Sequence, residues 1–237
     1  MSHLKDKVAL ITGAGQGVGQ GIALALANAG AKVAVTGRTL EKLEATCGLI
    51  QERGGKAIAL EANVKDAGDL SRIVEATVAE LGGLDILVNN AGVYLDKGKG
   101  LLDADFDDWL QSFNINSVAP FRMVKALYSS LKAAQGAKVL TRSSQMGALS
   151  RNVGGAYAYC ASKAAVNKGM QGLAVDLKSE NITLAVAHPG WVQTDMGGGS
   201  ADITPEESAA GLFNVIQNMS LAKTGSFYKW NGEIHAW

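Results

Sequence analysis

Residues 156–166 read AYAYCASKAAV and place Lys163 four positions after Tyr159. On a helix that spacing sets an ammonium beside a phenol on one face. A nearby positive charge favours phenolate, so the pair could serve as general acid or base closer to neutrality than a free phenol, whose pKa is about 10. The same spacing recurs at Tyr128 and Lys132 in YSSLK. For either pair the alternative is a half-buried tyrosine next to a solvated lysine, and spacing alone does not choose.

A second group of residues with chemical potential follows the apolar run VALIT (8–12). Thr12 is succeeded by G-A-G-Q-G-V-G, with glycines at 13, 15, 17 and 19. Such a turn lets the backbone approach a pyrophosphate, whose charge is favoured by the N-terminus of the following helix. An ordinary strand-to-helix turn is the alternative. The position, directly after the first strand and opening a helix, favours a dinucleotide site, and no G-K-[ST] ending points to a phosphate-hydrolysing loop. The second strand ends VAVTGRT, with Gly37 and Arg38 and no carboxylate before Glu41. In dinucleotide folds an acid here bonds the 2′-hydroxyl of NAD, whereas arginine pairs with the 2′-phosphate of NADP. The expectation is NADP(H) over NAD(H), the alternative being a solvated loop arginine.

These residues need strands to end at them. VALIT, KVAVT (32–36), KAIALEA, DILVNN, AKVLT and ITLAVAH are short β-branched runs separated by stretches of helical composition. Alternation of this kind, with nearly unbroken apolar strands, implies a parallel sheet covered on both faces. The fold class expected is α/β: one doubly wound Rossmann-type domain over residues 1–237, about seven parallel strands, with ligands beyond the carboxyl ends of the strands. Residues 196–204, MGGGSADIT, read as the loosest segment and a candidate lid.

Composition narrows the function classes. Lysine plus arginine balance aspartate plus glutamate at 22 each, so no global field draws the chain to nucleic acid or an anionic membrane. A small molecule is the expected partner. Two cysteines, Cys47 and Cys160, form neither a disulfide framework nor a metal-ligand pattern. No metal is expected. The charged start MSHLKDKVALITG lacks a signal-peptide core, and no apolar stretch approaches membrane-spanning length, so the expected location is cytoplasmic.

The spacing TGxxxGxG, then N-N-A-G at 89–92 after the fourth strand, then Tyr159-x-x-x-Lys163 after the fifth, resembles the short-chain dehydrogenase/reductase family along essentially the whole chain. HPGWVQTDMGG (188–198), TPEESAAG and the ending GSFYKWNGEIHAW look like the branch containing C-factor and sniffer-type carbonyl reductases. Three departures stand out: Asn63 where an aspartate is common, a serine two residues further from the tyrosine than usual, and a short segment after Thr194.

The resemblance implies reversible hydride transfer between a nicotinamide and a ketone or aldehyde carbonyl. It selects Tyr159 over Tyr128, because only Tyr159 follows a serine-bearing strand end. Tyr159 would be the acid for reduction and the base for oxidation. Lys163 would depress its pKa and hold the nicotinamide ribose. Ser144, with Ser143 as substitute, would bond the substrate oxygen, and Asn116, preferred to Asn114, would hold a relay water. The cofactor set implied is Thr12, Gly13, Gly15, Gln16, Gly17, Val18, Gly19, Arg38, Asn63, Val64, Asn90, Ala91, Gly92, Tyr159, Lys163, Pro189, Gly190, Val192 and Thr194. Tyr94, Met146, Tyr157 and Trp191 are candidates for the substrate pocket. A homotetramer or homodimer through the long helices 105–133 and 156–179 is also implied. A nucleotide-sensing signalling protein of the same fold is the competing function.

Overall fold

The computed structural model describes residues 4–237. Seven strands, β1 (Val8–Thr12), β2 (Lys32–Gly37), β3 (Ala57–Glu61), β4 (Ile86–Asn89), β5 (Lys138–Arg142), β6 (Thr183–His188) and β7 (Ser226–Lys229), form one parallel sheet in the order β3-β2-β1-β4-β5-β6-β7. The order reverses between β1 and β4, which opens a crevice at their carboxyl ends. The short β7, SFYK, is a strand that the sequence patterning did not single out.

Both faces of the sheet are buried. Because side chains alternate along a strand, Ala9 and Ile11 of β1 pack with α1 (Gly17–Asn28), α2 (Leu40–Gln51) and α7 (Pro205–Asn218). Val8 and Leu10 pack on the other face with α3 (Ala67–Leu81), α5 (Ala119–Ala133) and α6 (Tyr157–Leu177). This explains the continuous apolar strands. Burying Val8, Leu10 and Ile11 contributes about 1.5–3 kcal/mol each and holds the strand ends in register.

Helix starts separate into two kinds. Asp66 caps α3, Asp105 caps α4 (Phe106–Phe113), and Thr204 with Glu207 forms a capping box on α7. At α1 no side chain caps the first turn and no acid lies in it. Its backbone N–H groups are left for another acceptor.

Two expectations change. The helix read over 105–133 is α4 and α5 joined by one π-helical turn, Asn114–Val118. One extra residue in that turn rotates Asn116 towards β4, where its amide pairs with Val93. The segment read as a loose lid is stitched down instead. Trp191 Nε1 donates to Gly197 O at 2.9 Å, Gln193 Nε2 to Ala201 O at 3.0 Å, and Gly198 N to Thr194 O at 2.7 Å.

Candidate active site

The crevice holds two adjoining clefts. The first, about 300 Å³, lies over β1, β2 and β3 and is lined by Gly13, Gly15, Gln16, Arg38, Asn63, Val64, Ala91 and Gly92 among others. Its floor is fixed from across the sheet. Asn90 Nδ2 donates to Thr12 O at 2.8 Å and Gly13 O at 3.0 Å, and Thr12 Oγ1 accepts from the N–H groups of Asn90 and Ala91, both at 3.0 Å. A Cβ at Gly19 would collide with Asn90 Nδ2 and Gly13 O. Gly19 therefore lies beneath the cleft, holding the turn, while Gly17, at φ +58°, faces Thr194 Cγ2 on the side of the second cleft.

Arg38 is not the sole cation at the adenosine end. Lys42, four residues on at the start of α2, lines the same cleft and donates to Gln16 Oε1. The sequence signal for it was a second basic residue one turn after the first. Asn63 also contributes to this wall, its backbone N–H donating to Asp69 Oδ2 at 2.8 Å and its Oδ1 accepting from Lys65 N.

The second cleft, about 550 Å³, lies over β5 and β6. Val18, Tyr94, Met146, Ser144, Tyr159, Pro189, Gly190, Trp191, Val192 and Thr194 line it. Tyr157 does not. It opens α6 and is 42% exposed, because two residues before Tyr159 on a helix is about 200° round the axis.

Tyr159 is set by two contacts. Tyr94 stacks on it with ring centroids 4.3 Å apart. Asp96, 5% exposed, accepts the N–H groups of Ala158 (2.7 Å) and Tyr159 (3.3 Å) and so anchors the first turn of α6. Nothing in the sequence marks Asp96, since its partners lie more than sixty residues away.

The two serines part company at the end of β5. Ser144 Oγ accepts from Met146 N at 3.1 Å and stands within hydrogen-bonding reach of Tyr159, whereas the Ser143 hydroxyl donates to Lys163 O inside α6. The two asparagines also differ. Asn116 joins Val93 and Ser162, while Asn114 accepts from Arg122 at 2.7 Å on another side of the helix. Lys163 is 2% exposed; its Nζ lies 5.9 Å from the Tyr159 ring and donates to Arg142 O at 3.0 Å.

The electrostatics differ from the expected pairing. Burial pushes the Tyr159 phenol above its ordinary range, and what opposes this is the Arg142 charge and the bond with Ser144. Lys163 is itself pushed down, to about 7, by burial and then by Arg142. The cation tuning Tyr159 is Arg142, which the sequence reading passed over; its signal was a charge closing a buried strand at a carboxyl end.

A dinucleotide fits these clefts. A Cβ at Gly92 would lie 3.1 Å from Asn116 Oδ1 and 3.4 Å from Lys163 Nζ, so only a glycine leaves that ground clear between the clefts. The uncapped start of α1 suits a pyrophosphate. Among the described residues no cluster of side chains could hold a metal ion, and no helix is long and apolar enough to cross a membrane. Cys47 is buried, with its thiol pushed up to about 11, and is inert.

Comparison with known proteins agrees with this architecture. The family model described as short chain dehydrogenase matches residues 7–203. C-signal of Myxococcus xanthus is 37% identical over 163 residues, 68% of this chain and 98% of that protein. Carbonyl reductase Sniffer of D. melanogaster superposes with a TM-score of 0.91 at 28% identity, covering 98% of this chain and all of that one. The NADPH-bound carbonyl reductase from chicken fatty liver gives 0.89 at 28% identity, over 99% and 100%. With a glycine turn under β1, an asparagine latch from β4 and a tyrosine, serine and lysine gathered at β5 and α6, the chain belongs to the short-chain dehydrogenase/reductase family of oxidoreductases.

Proposed function

We propose that this protein is an NADPH-dependent carbonyl reductase that also runs in reverse as an alcohol dehydrogenase. The observation that carries the reading is the convergence of Tyr159 and Ser144 on one wall of a cleft adjoining the glycine turn, with Lys163 just behind. The chicken structure's NADPH and the basic pair Arg38 and Lys42 support the choice of cofactor. Bound NADPH supplies the hydride. Ser144 and Tyr159 hold the carbonyl oxygen, and Tyr159 gives it a proton, a contribution of about 10² to 10⁴ in rate. Arg142 and Ser144 stabilise the phenolate left behind. Lys163, held near neutrality, returns the proton through the groups around Asn116. Tyr94 stacks on the acid and, with Met146 and Trp191, keeps water from one side.

The location proposed is cytoplasmic, and the assembly a homodimer or homotetramer. Phe106 and Leu110 on α4 are 69% and 71% exposed, an apolar face a second copy would cover. The test of function is a panel of ketones, aldehydes, diketones and alcohols assayed with NADPH and NADH. Turnover of activated carbonyls with NADPH is expected. No turnover with any substrate would favour a nucleotide-sensing role, the reading in line with the name of the Myxococcus relative.

A further inference from the structure

Arg142 ends β5 with its side chain in the second cleft, beside Ser144 and Tyr159. A terminal guanidinium nitrogen lies 3.7 Å from the position a Cβ would take at Gly92, in the same small space as Lys163 Nζ and Asn116 Oδ1. None of the ion pairs among the described residues includes it, and no hydrogen bond from its guanidinium is formed with them. A guanidinium keeps its charge under these conditions. A half-buried, unpaired cation with a planar fork of donors is costly unless an anion arrives to meet it.

The rest of the cleft has the same sign. Lys97 is bonded to Met196 O and Arg151 to Gln145 Oε1, so neither is neutralised by an acid, and Asp202 is the one acid in the wall. Asp96, close by, spends its carboxylate on the backbone of α6. The cofactor's phosphates do not answer for Arg142, because the glycine turn and the Arg38–Lys42 pair that suit them line the first cleft, which Arg142 approaches only at Gly92 on its border.

Resting on the reductase reading above, we propose that Arg142 is the anion receptor of the substrate site and that the preferred substrate is an oxo acid, its carboxylate one or two atoms from the reacting carbonyl. The distance follows from the geometry: the carbonyl oxygen must meet Ser144 and Tyr159, and Arg142 adjoins both. In the reaction the carbonyl carbon takes a hydride from NADPH, giving NADP⁺. Its oxygen takes a proton from Tyr159, and the carboxylate leaves unchanged in a hydroxy acid.

Benzoylformate and its methyl ester share shape and differ in charge, the ester carbonyl being the more electrophilic, so the diagnostic quantity is how their ratio changes with residue 142 and not the ratio itself. Arg142→Met should reduce the acid-to-ester ratio of kcat/KM about ten- to a hundredfold, chiefly through KM of the acid. Arg142→Lys should recover part of it. Taking the ratio removes any effect of Arg142 on Tyr159 or Lys163, since both substrates use the same proton donor. A ratio unmoved by Arg142→Met overturns the proposal. If neither compound is turned over while other carbonyls of the panel are, the oxo-acid proposal fails; if nothing in the panel is turned over, it is the reductase reading that fails. Calorimetric binding of oxamate to the NADPH complex then decides for Arg142: at least tenfold weakening in Arg142→Met upholds the anion site, and equal affinity sinks it.

Discussion

Two tyrosine–lysine pairs share one spacing and nearly one geometry. Lys132 Nζ lies 5.7 Å from the Tyr128 ring and Lys163 Nζ 5.9 Å from the Tyr159 ring. Their surroundings are opposite. Tyr128 donates to Glu180 at 2.6 Å, and Lys132, on the surface, joins the same carboxylate at 3.5 Å, which raises the pKa of both partners. Around Tyr159 and Lys163 there is no carboxylate to pair with the lysine, and burial with Arg142 drives it down to about 7. The spacing guarantees proximity; what the neighbours carry decides whether proximity is an ornament of the surface or a proton donor.

The largest test of that contrast is removal of each hydroxyl. Tyr159→Phe should lower kcat by about 10² or more with cofactor affinity nearly intact, while Tyr128→Phe should leave kcat within about twofold. Retention of a tenth of the rate by Tyr159→Phe would break the comparison.

Titration of the lysines sharpens it. Lys163 has a folded pKa of about 7 against an ordinary 10.5. Below pH 7 folded and unfolded chains both carry the charge, and the folded state bears its full burial cost. Between pH 7 and 10.5 the folded chain has shed the proton that the unfolded chain keeps, so the cost fades as pH rises, at up to about 1.4 kcal/mol per pH unit. Urea unfolding of wild type and Lys163→Met at pH 6.5 and 9 should therefore show the methionine variant's relative advantage shrinking with pH. Lys132→Met should show no such trend over this range, since its shift is upward.

A third pair four residues apart, Arg38 and Lys42, is two cations facing one cleft. Arg38→Asp should cost about 1.5–3 kcal/mol in kcat/KM for NADPH and little for NADH, and Lys42→Ala a smaller part of the same preference. Equal wild-type efficiency with both cofactors would make these solvated surface charges. The smallest effect belongs to the surface pair: Glu180→Gln should lower the melting temperature slightly, detectable by calorimetry, and leave kinetics unchanged.

What could be read in the chain before its fold followed locality. The strand ends, the glycine turn and the tyrosine of α6 were legible because each depends on neighbours within a few residues. Asp96 was not, because its meaning lies in the N–H groups of Ala158 and Tyr159. Arg142 was visible as a charge closing an apolar strand, yet its influence on Tyr159 and Lys163 appears only when β5 and α6 pack. Tyr157 was drawn towards the pocket by its residue type, and helix phase turned it to solvent. The lid looked loose because glycine runs are usually mobile, but the tryptophan and glutamine beside it hold its carbonyls.

The asparagine latch carries a consequence for the order of assembly. Asn90 reaches Thr12 and Gly13 across a sequence separation of 77–78 residues and fills the space any side chain at position 19 would need. The floor of the nucleotide cleft therefore does not exist until β4 has docked on β1, a contact that closes a long loop and forms late on the route to the native state. A nucleotide recognises only the finished product of that step. Added NADPH should accordingly slow unfolding in proportion to its occupancy while leaving the refolding rate nearly unchanged, so that its protection is felt as a longer lifetime and not as faster acquisition of the fold.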